Sequence, residues 1–272
     1  MDAQKIVLIT GANTGLGREV VKALLQSNVV YSILVGSRNL TNADNAIQSL
    51  TAEFPASKSV LHPLQVDIED DKSINQAFQT VQEKFGRLDA LVNNAVSIKG
   101  GQFDQLAREG KMTVREVWNK TWNVNTAGTH IMTATFAPLL LESNDPRLLF
   151  ITSGTSTLTG SENPAFPFNK PLAKGWPKVT TPQTNIPAYR CSKTGMNMLM
   201  REWHRTLVED GVKTWCISPG YLATGLGGSL ETNKKQGALD PAIGAGLIRK
   251  VLEGARDEDT GKVVSNQGIQ AW

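Results

Sequence analysis

The 272-residue sequence lacks the features that mark secreted, membrane or nucleic-acid-binding proteins. Its two cysteines, Cys191 and Cys216, form neither a metal-binding spacing nor a disulfide framework, which suits a reducing compartment. No apolar run approaches the ~18 residues of a membrane-spanning helix, and the run 6–9 is too short for a signal-peptide core. At a net charge of +3, with no five like charges in a row, neither nucleic acid nor an anionic membrane is indicated. These absences predict a globular cytoplasmic protein without a metal site.

Short apolar runs alternate with helix-length amphipathic segments along nearly the whole chain. Predicted strands cover 5–10, 29–36, 59–67, 88–95, 147–153, 212–218 and 261–265. Predicted helices cover 18–26, 42–54, 73–86, 113–143, 188–210 and 242–254. Because the strands are apolar throughout rather than alternating, they indicate a parallel α/β sheet covered by helices on both faces. Such a sheet binds its ligand at the carboxyl ends of its strands.

No repeat or linker divides the chain, so we predict one domain over residues 1–272. The proline-rich stretch at about 160–187 is predicted to contain no regular helix or strand and to form an insertion into that domain. Insertions of this length are typically functional or mobile. The glycine-containing stretch 221–237 predicts a lid over a ligand site.

The segment TGANTGLG at 10–17 lies between the first predicted strand and the first predicted helix. Glycine is required where the backbone closely approaches a phosphate, and a helix N-terminus offers free N–H groups to an anion. An ordinary strand-to-helix turn is the alternative, but the flanking strand and helix favour a dinucleotide site. We expect the cofactor contacts in this loop to come from Gly11, Asn13, Thr14, Gly15, Leu16 and Gly17.

The second predicted strand ends in Ser37, Arg38 and Asn39, with no acidic residue before Asp44. A carboxylate at this place selects the ribose 2′-hydroxyl of NAD, whereas an arginine accommodates a 2′-phosphate. The alternative is a solvated surface arginine. The pattern predicts NADPH/NADP⁺ as the cofactor, with contacts from all three residues.

Tyr189 and Lys193 are four residues apart in a predicted helix, so their side chains share one face. A lysine ammonium there would favour the phenolate and lower the tyrosine pKa from about 10. The spacing alone does not distinguish a proton-donating pair from an aromatic residue and a charge on the same helix face.

The motifs together, in their order along the whole chain, resemble those of short-chain dehydrogenases/reductases: TGANTGLG, Asp67, LVNNA, Asn125 in NVNTAG, Ser153, Tyr189-x-x-x-Lys193 and Pro219-Gly220. The resemblance implies a single Rossmann-type domain with a seven-stranded parallel sheet in the order 3-2-1-4-5-6-7. It also implies reversible hydride transfer between a nicotinamide and a carbonyl/alcohol pair.

The family's catalytic tetrad maps onto Asn125, Ser153, Tyr189 and Lys193. Tyr189 would protonate the oxygen of a ketone as hydride reaches its carbon, and Ser153 would donate a hydrogen bond to the same oxygen. Lys193 would lower the tyrosine pKa and bind the nicotinamide ribose, and Asn125 would hold a water. Taken individually, each residue has an alternative role: Ser153 could simply end the fifth predicted strand, and Asn125 could be a buried polar residue bonded to the backbone.

The resemblance also assigns further cofactor contacts, through motifs that are less specific than the tetrad. Asp67 and Ile68 would lie against the adenine and Asn94 and Ala95 against the ribose; the nicotinamide side would be formed by Pro219, Gly220, Leu222 and Thr224. Val96 stands where the family has glycine, which places a side chain close to the cofactor. Thr152 replaces a frequent second serine before Ser153.

The insertion leaves the strand that carries Ser153 and returns just before Tyr189, so it must border the site. Its residues Phe166, Phe168 and Trp176 suggest a wall for a medium-to-large apolar or aromatic carbonyl substrate. The alternative is a loop that packs its own aromatic side chains down. Trp118, Trp122 and Trp203 are assigned to core or subunit packing.

The expected partner is a small-molecule carbonyl/alcohol substrate. The resemblance implies a homodimer or homotetramer, and carbonyl reductases with such an insertion can be monomers. The sequence also resembles fungal reductases of secondary metabolism. Two other uses of the fold stay open: non-redox chemistry as a cyclase or isomerase, and an NADP-binding regulator without turnover.

Overall fold

The structure is a computed structural model that describes residues 4–96, 106–178, 186–226 and 229–272. Its strands are β1 (Lys5–Ile9), β2 (Tyr31–Ser37), β3 (Val60–Gln65), β4 (Ala90–Asn93), β5 (Arg147–Ile151), β6 (Lys213–Ser218), β7 (Val263–Ser265) and β8 (Gly268–Gln270). Its helices are α1 (Gly15–Leu25), α2 (Leu40–Glu53), α3 (Asp71–Phe85), α4 (Val114–Trp122), α5 (Thr129–Leu141), α6 (Leu158–Ser161), α7 (Pro187–Leu207), α8 (Leu230–Lys235) and α9 (Pro241–Leu252). A π-helical turn (Asn123–Gly128) joins α4 to α5, and 3₁₀ turns lie at Pro167–Asn169 and Asp257–Asp259.

The described strands form one sheet in the order β3-β2-β1-β4-β5-β6-β7-β8. The strands from β1 to β7 are parallel, which confirms the predicted order. Strand order reverses between β1 and β4, so a ligand crevice is expected outside their carboxyl ends.

The sheet has an eighth strand that the sequence analysis did not predict. β8 pairs antiparallel with β7, with Val263 opposite Gln270. The chain reverses through Gly268, whose φ of 117° favours glycine, and the Ser265 hydroxyl donates to the Gly268 carbonyl at 3.0 Å. Three residues are too few to show a strand periodicity in the sequence.

Both faces of the sheet are buried under helices, as the continuous apolar runs predict. One face packs against α3, α5 and α7 through residues such as Val81, Phe136 and Met200. The other packs against α1, α2 and α9 through Leu24, Leu50 and Ile248. Among the described parts of the chain, no helix combines the length and apolar content that a membrane crossing requires.

The helical stretch predicted over 113–143 contains a π turn in the structure. Gly128, the last residue of this turn, lies against the carbonyl oxygen of Ile68, where a Cβ would have no room. The glycine therefore lets the turn approach the carboxyl end of β3. Such turns free backbone groups, and they occur frequently at functional sites.

The predicted insertion contains regular structure of its own, the helix α6 and the 3₁₀ turn at Pro167–Asn169. Both are single turns, so the expectation of no regular structure is corrected: Thr157 caps α6, and Pro167 takes the first position of the 3₁₀ turn, where proline is tolerated. Residues 179–185 of the predicted insertion and 227–228 of the predicted lid lie outside the described residues.

A cluster of charged residues closes the edge of the sheet opposite to its carboxyl ends. The Arg147 guanidinium, with only 4% of its side chain exposed, pairs with Asp145 at 3.0 Å and Asp257 at 2.7 Å. Lys213 pairs with the same two carboxylates at 2.9 and 2.6 Å, and Lys5 with Asp145 at 3.1 Å. Partial burial by itself raises the pKa of Asp145, but the hydrogen bonds from Lys213 and Lys5 and the Arg147 charge outweigh it and lower that pKa to about 2.

We expect this cluster to make the fold sensitive to acid. The Asp145 carboxyl binds a proton less readily in the folded than in the unfolded chain, so its contribution is complete above its ordinary pKa of 3.8 and is lost as the pH falls toward 2. Replacing Asp145 by Asn should lower the free energy of unfolding at neutral pH by about 1 kcal/mol, allowing for partial exposure. It should also flatten the pH dependence in urea titrations between about pH 4 and 2. The exposed Asp44→Asn is the control, and equal curves for both variants would contradict the expectation.

Candidate active site

The glycine loop between β1 and α1 forms a cradle for an anion. Gly11 and Gly15 have φ of 64° and 55°, and a Cβ on Gly17 would lie 2.6 Å from the Asn94 amide nitrogen. Thr14 precedes α1 without a side-chain cap, and the first turn of α1 carries no acidic residue. The N–H groups of that turn are thus free to bind phosphate oxygens, and the loop fits the pyrophosphate of a dinucleotide. Asn13 and Leu16 are half-buried in the same loop.

Asn94 holds this loop in place. Its side-chain amide donates to the carbonyl oxygens of Thr10 at 2.8 Å and Gly11 at 3.3 Å. In return the Thr10 hydroxyl accepts the backbone N–H groups of Asn94 at 3.0 Å and Ala95 at 2.8 Å. The prediction placed Asn94 against the cofactor ribose; in the structure its amide donors bind the loop, and a Cβ on Gly11 would lie 3.1 Å from the Cα of Ala95. Val96 is half-buried beside them.

The end of β2 presents one available cation. The Ser37 hydroxyl is buried and accepts the Asn39 N–H at 3.3 Å, while the Asn39 side chain caps α2 by accepting the Asn42 N–H at 3.2 Å. Arg38 is exposed, and among the described residues none forms a hydrogen bond or ion pair with its guanidinium. Arg38 is therefore free to bind a phosphate.

Asp67 and Ile68 follow β3 beside this end of β2. The Asp67 carboxylate accepts the Glu69 N–H at 3.0 Å, and the Ser73 hydroxyl accepts the Asp67 N–H at 3.0 Å. Ile68 is 6% exposed. These contacts fix the turn at the edge of the crevice where the adenine contacts were predicted.

Ser153 and Tyr189 are brought together by the carboxyl end of β5 and the first turn of α7. The Ser153 hydroxyl faces the Tyr189 phenol and, as a hydrogen-bond partner of the phenolate, acts to lower the tyrosine pKa. The Ser153 oxygen also accepts the Thr155 N–H at 3.1 Å, and the two hydroxyls of Ser153 and Thr155 share a hydrogen bond at 3.0 Å in which either can donate. Burial raises the pKa of Tyr189 above its ordinary value of 10, and the Ser153 hydrogen bond offsets only part of this rise.

Lys193 lies one turn further along α7 and is 2% exposed. Its ammonium donates to the carbonyl oxygen of Ile151 at 2.7 Å and contacts the Met196 sulfur at 3.7 Å. Burial lowers its pKa to about 7, partly offset by the nearby Cys216. The sequence-based expectation of a tyrosine pKa lowered by Lys193 thus differs from the structure, in which Tyr189 has a raised pKa and Lys193 binds the end of β5.

Asn125 reaches the same region from the π turn. Its side-chain amide donates to the Ser192 hydroxyl at 2.9 Å, and that hydroxyl donates to the Tyr189 carbonyl at 2.8 Å. The Thr126 hydroxyl donates to the Ser192 carbonyl at 3.2 Å. The four residues of the predicted tetrad are therefore positioned by three elements that meet at one place.

A buried polar cluster behind Ser153 was missed by the sequence analysis. The Thr152 hydroxyl donates to the Asn197 side chain at 2.6 Å, and the Asn197 amide donates to the Ser156 hydroxyl at 3.0 Å. The Ser153 carbonyl accepts from the Ser156 hydroxyl at 2.6 Å and from the Gln270 side chain at 3.2 Å. Ser156 follows Ser153 by three residues, a spacing typical of a turn, but nothing local points to Asn197 or Gln270.

The predicted nicotinamide side lies between β6 and α8. Gly220 has a φ of 100°, and Leu222 pairs with Leu239 in an isolated bridge. Pro219 and Leu222 pack against Gly244 of α9, where a Cβ would lie 2.7 Å from Leu222. Thr224 lies opposite the glycine loop, because its Cβ is 3.8 Å from the position of a Cβ on Gly15.

Arg190, the residue after Tyr189, joins the insertion to the site. Its guanidinium donates to the carbonyls of Thr155 and Phe168, both at 3.1 Å, and to the Asn169 side chain at 2.9 Å. A cleft of about 550 Å³ opens here and is lined by Pro167, Phe168, Lys170, Pro171, Leu172, Ile186, Pro187 and Arg190. The insertion thus borders the first turn of the helix that carries Tyr189 and Lys193.

A family model described as short chain dehydrogenase matches residues 5–170 and 178–235. The chain belongs to the short-chain dehydrogenase family. Members of this family are oxidoreductases that use nicotinamide cofactors and act on small-molecule substrates. The match confirms the resemblance inferred from the motifs.

Curated relatives and solved structures cover nearly the whole chain. The short-chain dehydrogenase/reductase tropE of Talaromyces stipitatus is 45% identical over 268 residues, which are 97% of this chain and 96% of that protein. The short-chain dehydrogenase/reductase eupG of Phoma sp is 47% identical over 277 aligned positions, 98% and 97% of the two chains. The NADPH-bound carbonyl reductase from chicken fatty liver has a TM-score of 0.77 at 23% identity, covering 99% of both chains. Carbonyl reductase Sniffer of D. melanogaster has a TM-score of 0.75 at 21% identity, covering 99% and 100%. At these identities the solved structures establish the shared fold.

Proposed function

We propose that this short-chain dehydrogenase is an NADPH-dependent reductase that converts the ketone of a medium-to-large apolar or aromatic substrate into an alcohol. The observation that carries the proposal is the juxtaposition of the Ser153 hydroxyl and the Tyr189 phenol, one helical turn from the buried Lys193. A proton donor and a hydrogen-bond donor held together in a crevice are what carbonyl reduction requires.

The bound nicotinamide would supply the hydride. As a C–H bond forms at the carbonyl carbon, negative charge develops on the oxygen, and Tyr189 transfers its proton there to give the alcohol. The Ser153 hydroxyl would donate a hydrogen bond to the same oxygen when the Thr155 hydroxyl acts as the donor of the bond that joins the two side chains. This hydrogen bond is strongest in the transition state, where the charge is largest.

Lys193 and Asn125 support this step while they keep their hydrogen bonds to the Ile151 carbonyl and the Ser192 hydroxyl. Proton transfer leaves a phenolate on Tyr189, and a nearby anion favours the charged form of Lys193, whose pKa burial holds at about 7. Asn125 acts through Ser192, whose hydroxyl holds the Tyr189 backbone. Asn125 thereby fixes the position from which the phenol donates.

The preference for NADPH is supported by the available Arg38 guanidinium at the end of β2. A planar guanidinium binds phosphate by paired, charge-assisted hydrogen bonds. The carbonyl reductase from chicken fatty liver, which shares the fold, was solved with NADPH bound. Both observations favour a 2′-phosphorylated cofactor for this chain.

The substrate class is supported by the exposure of aromatic residues in the insertion. Phe166 is 57% and Trp176 88% exposed, so the insertion does not bury these side chains in itself. Phe168 lines the cleft beside the first turn of α7, together with Leu172 and Ile186. An apolar wall of this kind favours a bulky apolar or aromatic substrate over a small polar one.

The assembly, the domain limits and the cytoplasmic location stay predictions. Trp118 and Trp122 of α4 are 38% and 44% exposed, which supports their assignment to subunit packing in a homodimer or homotetramer. Trp203 packs against the core instead. A role in fungal secondary metabolism is supported by the fungal sources of the two relatives.

Replacing Tyr189 by Phe should abolish reduction while leaving NADPH binding unchanged, because only the proton donor is removed. We expect kcat to fall by ~10²–10⁴-fold, the usual contribution of a general acid. The fall in kcat is measured as the rate of NADPH oxidation with ketones and quinones of increasing size. Tyr31→Phe, the same change in a tyrosine buried at the start of β2, should retain activity. Unchanged NADPH oxidation in Tyr189→Phe would contradict the assignment, and product formation without NADPH consumption would indicate an isomerase or cyclase instead.

Replacing Arg38 by Leu should weaken the binding of NADPH but not that of NADH, because the proposed contact of the guanidinium is with the 2′-phosphate, which NADH lacks. Loss of one charge-assisted contact predicts a roughly 10–100-fold rise in the NADPH dissociation constant. Arg205→Leu, at an exposed position of α7, should change neither affinity. Equal affinity of the unaltered protein for NADH and NADPH is the result that would refute the preference.

Replacing Phe168 by Ala should raise KM for bulky aromatic ketones by roughly 5–30-fold, because an apolar contact in the cleft is lost. KM for a small ketone should not change. The matched control is Phe166→Ala, which removes the same ring from a residue outside the cleft lining. Equal effects of the two substitutions, or an effect on small ketones as well, would exclude the cleft as the substrate wall.

A further inference from the structure

The helix α8 carries one buried side chain on an otherwise exposed surface. Asn233 is 3% exposed, whereas all other residues from 229 to 237 are exposed. Asparagine is costly to bury unless its amide finds hydrogen-bond partners. The burial of this side chain therefore needs a reason beyond the stability of a helix of six residues.

All side-chain bonds of Asn233 go to one segment, residues 221–226, between β6 and α8. Its amide nitrogen donates to the carbonyls of Thr224 at 2.8 Å and Leu226 at 3.0 Å. Its amide oxygen accepts from the Tyr221 hydroxyl at 3.2 Å. Both protons and the oxygen of the amide are used, a combination that aspartate and alanine do not offer.

The other side of this segment is fixed independently of Asn233. The Ala223 N–H donates to the Leu239 carbonyl, and the Leu239 N–H donates to the Tyr221 carbonyl, both at 2.8 Å. These bonds hold the beginning of the segment, whereas Asn233 holds its end at Thr224 and Leu226. Removing the Asn233 amide should thus release Thr224 without detaching the segment from the fold.

Thr224 faces the glycine loop. Its Cβ is 3.8 Å from the place of a Cβ on Gly15, the first residue of α1. Its hydroxyl accepts the Leu226 N–H at 3.3 Å, which leaves the hydroxyl proton free for an acceptor in the crevice. The segment held by Asn233 therefore lies against the N–H groups that fit a pyrophosphate.

We propose that Asn233 is a positioning residue that holds Thr224 over the glycine loop and so retains the pyrophosphate and nicotinamide half of the cofactor. The inference rests on the proposed NADPH site. Asn233 touches no part of that site itself and acts through the carbonyls of Thr224 and Leu226. The adenine half, with the 2′-phosphate at Arg38, lies beyond its influence.

The test compares two nucleotides. NADPH carries both halves of the cofactor, and 2′,5′-ADP carries only the adenosine with its 2′-phosphate. Calorimetry on the full chain should give Asn233→Ala and Asn233→Asp a roughly tenfold higher Kd for NADPH, because both variants lose the hydrogen bonds to the Thr224 and Leu226 carbonyls. The Kd for 2′,5′-ADP should stay unchanged. Glu231→Gln, an exposed change on the same helix, should alter neither value.

Three results overturn the inference. Unchanged NADPH affinity in Asn233→Ala does so, and equal weakening of NADPH and 2′,5′-ADP would give Asn233 a purely structural role. If Asn233→Ala does not fold, Tyr221→Phe decides, because it removes the hydroxyl that binds the Asn233 amide oxygen, and Gln236→Ala controls for the second partner of that hydroxyl. We expect Tyr221→Phe to raise the Kd for NADPH by a smaller factor and to leave the Kd for 2′,5′-ADP unchanged. An unchanged Kd for NADPH in this variant is the third result that overturns the inference. Failure of the unaltered protein to bind NADPH would refute the proposed function, and the inference with it.

Discussion

Parallel strands buried on both faces cannot rely on water to satisfy the polar groups where they end, and this constraint organises the whole site. The carbonyls of Thr10 and Gly11 are satisfied by the Asn94 amide, and that of Ile151 by the Lys193 ammonium. The Ser153 carbonyl is satisfied by Ser156 and Gln270. The side chains that satisfy these carbonyls thus gather where the crevice opens. Within the described ranges, the first turn of α1 has no side-chain cap and the Arg38 guanidinium has no partner, and both places suit an anion.

The electrostatics of the crevice follow from the same burial. Desolvation lowers the pKa of Lys193 to about 7 and raises that of Tyr189, so both groups are less charged than they would be in water. No carboxylate contributes to either shift. An anion that enters or forms in the crevice is therefore the natural counter-charge for Lys193. A low tyrosine pKa is not a property of the i, i+4 spacing alone, because Lys193 is held at the end of β5 by the Ile151 carbonyl.

Two parts of the chain outside the shared motifs converge on the turn after Ser153. Arg190 binds the Thr155 carbonyl and the insertion, so the wall of the cleft and the catalytic turn are positioned by one guanidinium. From the other side, Gln270 of β8 binds the Ser153 carbonyl. The backbone oxygen of Trp272 accepts from Thr157 and Thr159, which follow the same turn. The insertion, the C-terminal strand and the backbone at Ser153 are therefore joined through short, direct contacts.

The residue pattern by itself determined the parallel sheet and the place of the glycine loop, and the family resemblance supplied the strand order. Strands buried on both faces must be continuously apolar, and a phosphate-binding turn must carry glycines at fixed places between strand and helix. The resemblance also placed Ser153, Tyr189 and Lys193 in one site. Only the tertiary structure decided what these side chains touch. The inward role of Asn94, the bond from Lys193 to Ile151, the strand β8 and the buried Asn233 all depend on partners that local periodicity does not reveal. Hydrogen-bond partners of buried polar groups are chosen by proximity in the fold, and 84 residues separate Asn94 from the Thr10 carbonyl that it binds.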